Sequence, residues 1–364
     1  MKFVDFATTY KDFYVPHFEL LVGGKDAVRS GMEIVSVTVD NTLDAADQAS
    51  FTVSNAFDVE NREIRWFDQE LRLDGKLEVH LGYTDVLQTI FTGVMTSIKV
   101  NFPSGGMPQL EVTAFDLSHP MTRNKKSFSW DNFKDSDIAN TLASRYHLNT
   151  QADDKATVED TQVQHRQTKQ DNQSDFEFLK KRADEYGFEF FVFNGTLFFR
   201  KPAYEEEPVV ELKWGETLMS FSPELNIADQ VQGVEVRGWD VRTKREIVGR
   251  ARVGEEPGRE QGRQSGGQRL QAGAGEEAIE RVRRPVYTQQ EADNLAKSIL
   301  MQITEGFVKG SGECLGLPEL RAGKNVVLEG LGSKFSTRYY VEKTNHNISS
   351  SGYRTTFNVK EPTL

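Results

Sequence analysis

Alternation of apolar and polar positions dominates the first 120 residues. It is clearest over 32–40 (Met-Glu-Ile-Val-Ser-Val-Thr-Val-Asp), 49–54, 76–83, 90–100 and 109–115, with a turn at Pro103-Ser104-Gly105-Gly106 before the last. A period of two turns one face of each strand inward and the other to water. Several such strands in series predict an antiparallel barrel or sandwich.

The pattern changes in the middle. Asp135 or Ser136 is placed to cap a helix near 135–147 carrying Ile138, Ala139, Leu142 and Tyr146 on one face. Residues 150–171 are polar and read as loop. Ser174 and Glu177 form a capping box for a second helix, 174–186, through Phe178, Leu179, Ala183 and Tyr186, and Gly187 supplies the stop. Two apolar runs, 188–193 and 196–199, flank Asn194-Gly195, which predicts a hairpin over 188–200. Phe190 and Phe191 are adjacent, as are Phe198 and Phe199, so each pair points to opposite faces and both faces need cover. A helix and a barrel of the same chain would provide it. A neighbouring subunit is the alternative, which makes these four residues candidate interface positions.

Alternation returns at 230–239. Residues 249–284 are rich in Gly, Gln, Arg and Glu, and read as a flexible insert with too little apolar surface to order itself. Thr288 and Glu291 form another capping box, for a helix over 288–304 with Ala292, Leu295, Ala296, Ile299 and Leu300 on one face. Strands resume at Lys324 and run to Val359. The two β-regions echo each other. Gly75-Lys76, Gly82 and 110–115 have counterparts in Gly323-Lys324, Gly330 and 353–359.

Composition narrows the function. At 364 residues, two or three domains are expected, and 24 Phe supply a large core. A net charge of −11 disfavours a nucleic-acid reader. The single cysteine, Cys314, excludes an intramolecular disulfide and a Cys-rich zinc site. No signal peptide is expected from 1–7, and no apolar run approaches the ~18 residues of a membrane span. The six histidines, His17, His80, His119, His147, His165 and His346, form no metal-binding spacing. Glu205-Glu206-Glu207, beside two prolines, reads as a solvated loop rather than acid–base machinery. No nucleophile elbow, P-loop or dinucleotide fingerprint is present. Catalytic residues, metal ligands and cofactors are therefore all expected to be none.

Several blocks, in order, resemble the phage late control D, or baseplate hub, family of phage tail hubs and the N-terminal part of type VI spike proteins. They are Phe91-Thr92-Gly93 with Ala114-Phe115-Asp116, then 173–179 with 185–191, then 317–330, Phe335 to Val341, His346 and 352–357. The last blocks contain Gly323, Gly330, Tyr339, Tyr340, Gly352 and Tyr353. The resemblance implies an α+β, mainly β chain: two tandem tube-like antiparallel β-barrel domains, 1–122 and 213–364, with an α+β insert at 123–212 between them. It further implies a homotrimeric hub that adapts a three-fold spike to a six-fold inner tube in a contractile, phage-tail-like machine such as a phage or tailocin. Expected partners are a separate trimeric spike protein, the first inner-tube ring and other baseplate or LysM-like adaptor proteins, with no specific nucleic acid. Assembly in the bacterial cytoplasm before incorporation into the particle is expected. The rival readings are a tail-associated cell-wall hydrolase and a carbohydrate-binding β-module.

Overall fold

The computed structural model describes residues 3–240, 244–254, 262–271 and 277–364. The alternating segments of the first third form β1 (Pro16–Val22), β2 (Ile34–Thr42), β3 (Gln48–Val53), β4 (Lys76–Tyr83), β5 (Val86–Asn101) and β6 (Gln109–Asp116). Their inward positions, such as Val37, Val39, Phe51, Val53, Val79, Leu81, Leu110 and Val112, are buried. Period-two patterning thus sets which face each strand hides.

The middle region contains β7 (Lys126–Lys134), α1 (Asp135–Arg145), β8 (Gln164–Gln173), α2 (Asp175–Tyr186), β9 (Glu189–Phe193) and β10 (Thr196–Arg200). The Ser174 box forms as the sequence requires: the Glu177 N–H donates to Ser174 Oγ at 3.2 Å, and the Ser174 N–H donates to Glu177 Oε2 at 2.9 Å. Gly187 ends α2 in the left-handed conformation at φ +66°. The polar loop expected over 150–171 is partly wrong. Its end belongs to β8, which pairs antiparallel with β7. β8 buries only Thr168 and Gln170, so no apolar alternation marks it. Its order comes from the backbone ladder.

The last third holds β11 (Val210–Lys213), β12 (Leu218–Leu225), β13 (Gly233–Asp240), β14 (Arg245–Arg252), β15 (Ile279–Arg283), α3 (Gln289–Thr304), β16 (Val308–Leu315), β17 (Asn325–Glu329), β18 (Thr337–Ser349) and β19 (Gly352–Glu361). β14, β13 and β15 make a small separate sheet against α3, with Val234, Val236, Ile247, Leu295, Ala296 and Leu300 between them. The tract 249–284 is therefore not one loop. It includes the end of β14, a short helix Gly266–Gln271 and β15; residues 255–261 and 272–276 lie outside the described residues. Small residues hide this order from the sequence. Ala251 is buried, and a Cβ on Gly249 would sit 2.2 Å from the Ala292 backbone, so glycine is what lets α3 approach.

The main sheet joins both ends of the chain. Its order is β12-β16-β19-β18-β2-β3-β6-β5-β4-β1, followed by the short strand Lys25–Asp26, with β17 branching from β18 and β11 pairing with β17. β2 and β18 pair antiparallel, from Ser36 opposite Ser349 to Thr42 opposite Lys343. One hydrophobic core underlies both halves.

Apart from the short Lys25–Asp26 strand, each half has six strands in the same arrangement. Counted in chain order within each half, both run 1-4-5-6-3-2: β1-β4-β5-β6-β3-β2 and β11-β17-β18-β19-β16-β12. Two bulges recur at matching places. One lies between Ile34 and Ser36 in β2, and between Leu218 and Ser220 in β12. The other lies between Met95 and Ser97 in β5, and between Val341 and Lys343 in β18. An extra residue inserted at the same rung of two ladders is hard to obtain by chance, because nothing in generic alternation places it. The halves differ at their first strand: β1 pairs antiparallel with β4, whereas β11 pairs parallel with β17.

The structural match corrects the echo read from the sequence by one residue. The Asp74 N–H donates to the Met95 carbonyl at 2.8 Å, and the Gly323 N–H donates to the Val341 carbonyl at 2.9 Å. Asp74, not Gly75, is the counterpart of Gly323. Both have positive φ, +62° and +80°. Aspartate tolerates the left-handed region, so the position need not hold glycine in both halves.

Candidate functional site

The aromatic hairpin is covered on both faces by its own chain. Phe190 and Phe199 enter the core of the middle region, where Phe190 lies 5.0 Å from the Phe176 ring, centroid to centroid. Phe191 and Phe198 stack at 4.7 Å on the opposite face and pack with Leu43, Ala203, Tyr204 and Tyr340. The Arg200 guanidinium lies over both of these rings. The four phenylalanines thus join the middle region to the main sheet, and their own chain leaves little of Phe191 and Phe198 exposed, 6% and 9%.

The large side chains singled out in the C-terminal blocks, Tyr339, Tyr340, His346 and Tyr353, are also buried. Tyr340 donates from its hydroxyl to Glu189 Oε2 at 2.7 Å and accepts from the Ala203 N–H. The Tyr339 hydroxyl donates to the Phe335 carbonyl at 3.0 Å, and its ring meets Phe221 edge-on at 5.4 Å. Gly330 at φ +76° and Gly352 at φ +102° sit at turns that bound β17 and β19. Gly323 receives the Arg200 guanidinium on its carbonyl at 3.3 Å.

His346 is fully buried. Its Nε2 lies 3.0 Å from the Leu320 carbonyl, and its Nδ1 lies 2.9 Å from the Tyr353 hydroxyl and 3.0 Å from Thr355 Oγ1. A carbonyl only accepts, so Nε2 carries the proton and Nδ1 accepts. Burial pushes the imidazole pKa down to about 4, partly countered by the Leu320 carbonyl. The unfolded chain takes up a proton below about pH 6.5, and the folded chain does not until about pH 4. Stability from the neutral ring is therefore complete above pH 6.5 and is lost as pH falls toward 4, by on the order of 3 kcal/mol. Urea denaturation of the native chain and of His346→Gln at pH 7 and pH 4.5 checks this. The stability gap narrows on acidification; a gap that stays constant contradicts a buried neutral imidazole.

Two polar clusters escaped the sequence reading. In the first, Arg182 grips the buried Asp135 through Nε at 2.6 Å and an Nη at 2.8 Å, and also contacts Glu185. His165 places Nε2 3.0 Å from Asp135 Oδ2 and Nδ1 3.2 Å from Glu291 Oε1. Burial opposes ionisation of Asp135, but hydrogen bonds from His165 and Arg182 outweigh it and hold its pKa at about 2. Hydrogen bonds to Asp135 and Glu291 raise His165 to about 9. The ring is then a cation with both nitrogens donating, and it has no lone pair left to act as a base. The cluster ties α1, β8 and α2 to the start of α3, on the wall of a cleft of about 1050 Å³ between α2 and α3.

In the second cluster, the Asp47 N–H donates to Asp116 Oδ2 at 2.6 Å, and Asp47 accepts from Asn41 Nδ2 at 2.7 Å. Burial raises both carboxyl groups, Asp116 to about 6. The Thr344 hydroxyl donates to Asn41 Oδ1 across the β2–β18 seam. Glu206, from the acidic run, bonds Arg200 and Lys324. Among the described residues no three His, Cys, Asp or Glu side chains are placed to hold a metal, and no helix is long and apolar enough to cross a membrane.

This architecture is that of phage tail proteins and of a type VI secretion component. The 43 kDa tail protein of prophage MuSo2 from Shewanella oneidensis superposes with a TM-score of 0.70 at 11% identity, over 95% of this chain and 98% of that one. A tail protein from Neisseria meningitidis MC58 gives 0.67 at 14% identity, over 96% and 97%. The Escherichia coli c3393 protein, a component of the type VI secretion system, gives 0.55 at 11% identity, over 90% and 73%. A family model described as the Alg8 N-terminal domain matches residues 14–350, so the chain belongs to that family. Its name differs from that of the late control D family, which the sequence blocks resemble. No curated protein sequence matches the chain.

Proposed function

We propose that this chain is the structural baseplate hub of a contractile, phage-tail-like injection system, related to the late control D proteins. It acts as a homotrimer between a three-fold spike and a six-fold inner tube. The observation that carries the reading is the repeat: one strand order and two matching bulges in both halves. Three chains then offer six similar β-units to the tube while keeping three-fold symmetry toward the spike. The two halves act as the tandem tube-like barrels, and the middle region buttresses them through the aromatic hairpin. The tail and type VI proteins that share the fold support this setting. Partners are other copies of the chain, a trimeric spike, the first tube ring and neighbouring baseplate proteins. The role is mechanical, and the particle is assembled before release or anchoring.

Native mass measurement tests the reading. The 41.2 kDa chain is expected to run as a trimer and to clear no peptidoglycan. A monomer that clears cell wall favours the hydrolase reading and ends this one.

A further inference from the structure

Among the described residues, two of the main sheet's open edges complement each other. β12 closes one end of the sheet with no outer partner among the described residues. β5 pairs with β4 only as far as Val94, so from Ser97 to Asn101 it has β6 on one side and, among the described residues, no strand on the other. The internal seam shows what these edges are suited to. There β2, the second strand of the first repeat, pairs with β18, the fifth strand of the second. β12 is the second strand of the second repeat, and β5 is the fifth strand of the first.

We infer that β12 of one copy pairs antiparallel with the 97–103 edge of the next copy, in the register of the β2–β18 seam. This rests on the hub reading, which supplies the oligomer. The shared bulges fix the register, since Ser36 corresponds to Ser220 and Lys343 to Ser97. Applying that correspondence to the seam places Leu225 opposite Ile98, Glu224 opposite Lys99, Pro223 opposite Val100, Ser222 opposite Asn101 and Phe221 opposite Phe102.

The side chains agree with this alignment, which was set without them. One face of the new ladder is apolar throughout: Phe221 with Phe102, Pro223 with Val100, Leu225 with Ile98. The other face is polar and sets Glu224 against Lys99. One face of the β2–β18 seam is buried, with Val37 opposite Ile348, Val39 opposite His346 and Asn41 opposite Thr344. On its other face, Asn347 Nδ2 donates to Thr38 Oγ1 at 2.9 Å and Asn345 Nδ2 to Asp40 Oδ1 at 3.2 Å. Phe102 and Leu225 are 60% and 46% exposed in the single chain. Cross-strand aromatic, aliphatic and opposite-charge pairs each stabilise a ladder.

Pro223 limits the ladder. The Leu43 N–H donates to the Glu342 carbonyl across the seam, so alternate pairs along it exchange backbone bonds. By that parity Leu225–Ile98, Pro223–Val100 and Phe221–Phe102 are the bonding pairs, and proline omits one donor. Proline on an edge strand discourages indiscriminate strand addition. The correct partner is then chosen by the side-chain match. The contact is head-to-tail, so it closes a ring rather than a two-fold dimer.

Cross-linking the full chain tests the register. Ser222 and Asn101 form a non-bonding pair, with Cα atoms about 4.5 Å apart, within disulfide range. The chain carrying Ser222→Cys and Asn101→Cys, oxidised, is expected to give a reducible covalent trimer. Ser222→Cys with Lys99→Cys, two residues out of register, is expected to give at least about tenfold less, because its Cα separation exceeds disulfide reach. The native Cys314 is buried and does not compete. Hydrogen exchange on the unaltered chain gives a reading free of mutation: the Ile98, Val100, Phe102 and Leu225 amides are expected to exchange at least about tenfold slower in the oligomer than in the dissociated chain. A trimer without the 222–101 link and without this protection overturns the seam while leaving the hub reading intact. A monomer at all concentrations overturns both.

Discussion

Replacing Arg182 with alanine is expected to cost about 3 kcal/mol of stability, because it leaves Asp135 buried with its strongest counter-charge removed. The Asp135 side chain is 1% exposed and the Arg182 side chain 11%, so water cannot stand in for the guanidinium. The two-pronged geometry makes lysine a poor substitute, since an ammonium cannot serve both carboxylate oxygens in the same plane. Removing both charges together, as Arg182→Met with Asp135→Asn, is expected to recover most of the loss, because the His165 cation keeps Glu291 and the Glu185 side chain reaches water. Urea denaturation of the three chains at pH 7 measures this. A loss below about 1 kcal/mol in Arg182→Ala would mean that His165 alone satisfies Asp135.

Gly316→Ala is the second large effect, at about 3 kcal/mol, the upper end of what overpacking costs. A Cβ on Gly316 would lie 2.0 to 2.3 Å from three atoms of the Tyr353 ring. That ring cannot step aside cheaply. Its hydroxyl is held by His346, and Tyr83 lies 5.7 Å away, centroid to centroid, while the Tyr83 hydroxyl donates to the Gly316 carbonyl itself. The methyl group therefore strains the contact between the two repeats, where Tyr83 of β4 meets the β16 end. Thermal unfolding is the check, and Tyr353→Leu in the Gly316→Ala background is expected to relieve part of the loss. A melting temperature within about 1 °C of the native chain contradicts this packing.

Local chemistry was legible in the sequence wherever it was sufficient to set the structure. The Ser174–Glu177 and Thr288–Glu291 boxes form at the positions read for them, since a cap needs only residues three apart. The Asn194-Gly195 hairpin follows the same logic. β8 was missed because its inward side chains are Thr and Gln, so a paired strand had no apolar signature. β14 was hidden by glycine and alanine, which bury surface without adding hydrophobicity to a window, and β15 by its three charged residues, Glu280, Arg281 and Arg283, around half-buried Ile279 and Val282.

The candidate site was less legible than the fold. The C-terminal blocks drew attention to His346, Tyr340 and Tyr353, but not to their role as buried ties. The Asp135–Arg182–His165–Glu291 cluster gathers residues from four elements, and no spacing along the chain announces it. The β2–β18 seam joins residues some three hundred positions apart, so only the folded chain reveals that the two β-regions share one sheet. The repeat itself was visible as an echo, one residue out of step. The turn that both halves need is met by Gly323 in one and by Asp74 in the other, and a match on glycine slides the alignment.

The symmetry of the assembled particle tests the central claim most directly. Electron cryomicroscopy of the purified full chain is expected to show a three-fold ring around an open lumen, with six similar β-units alternating between the first and second repeat. A monomer, a two-fold dimer, or a ring in which the two repeats lie at different radii would contradict the account.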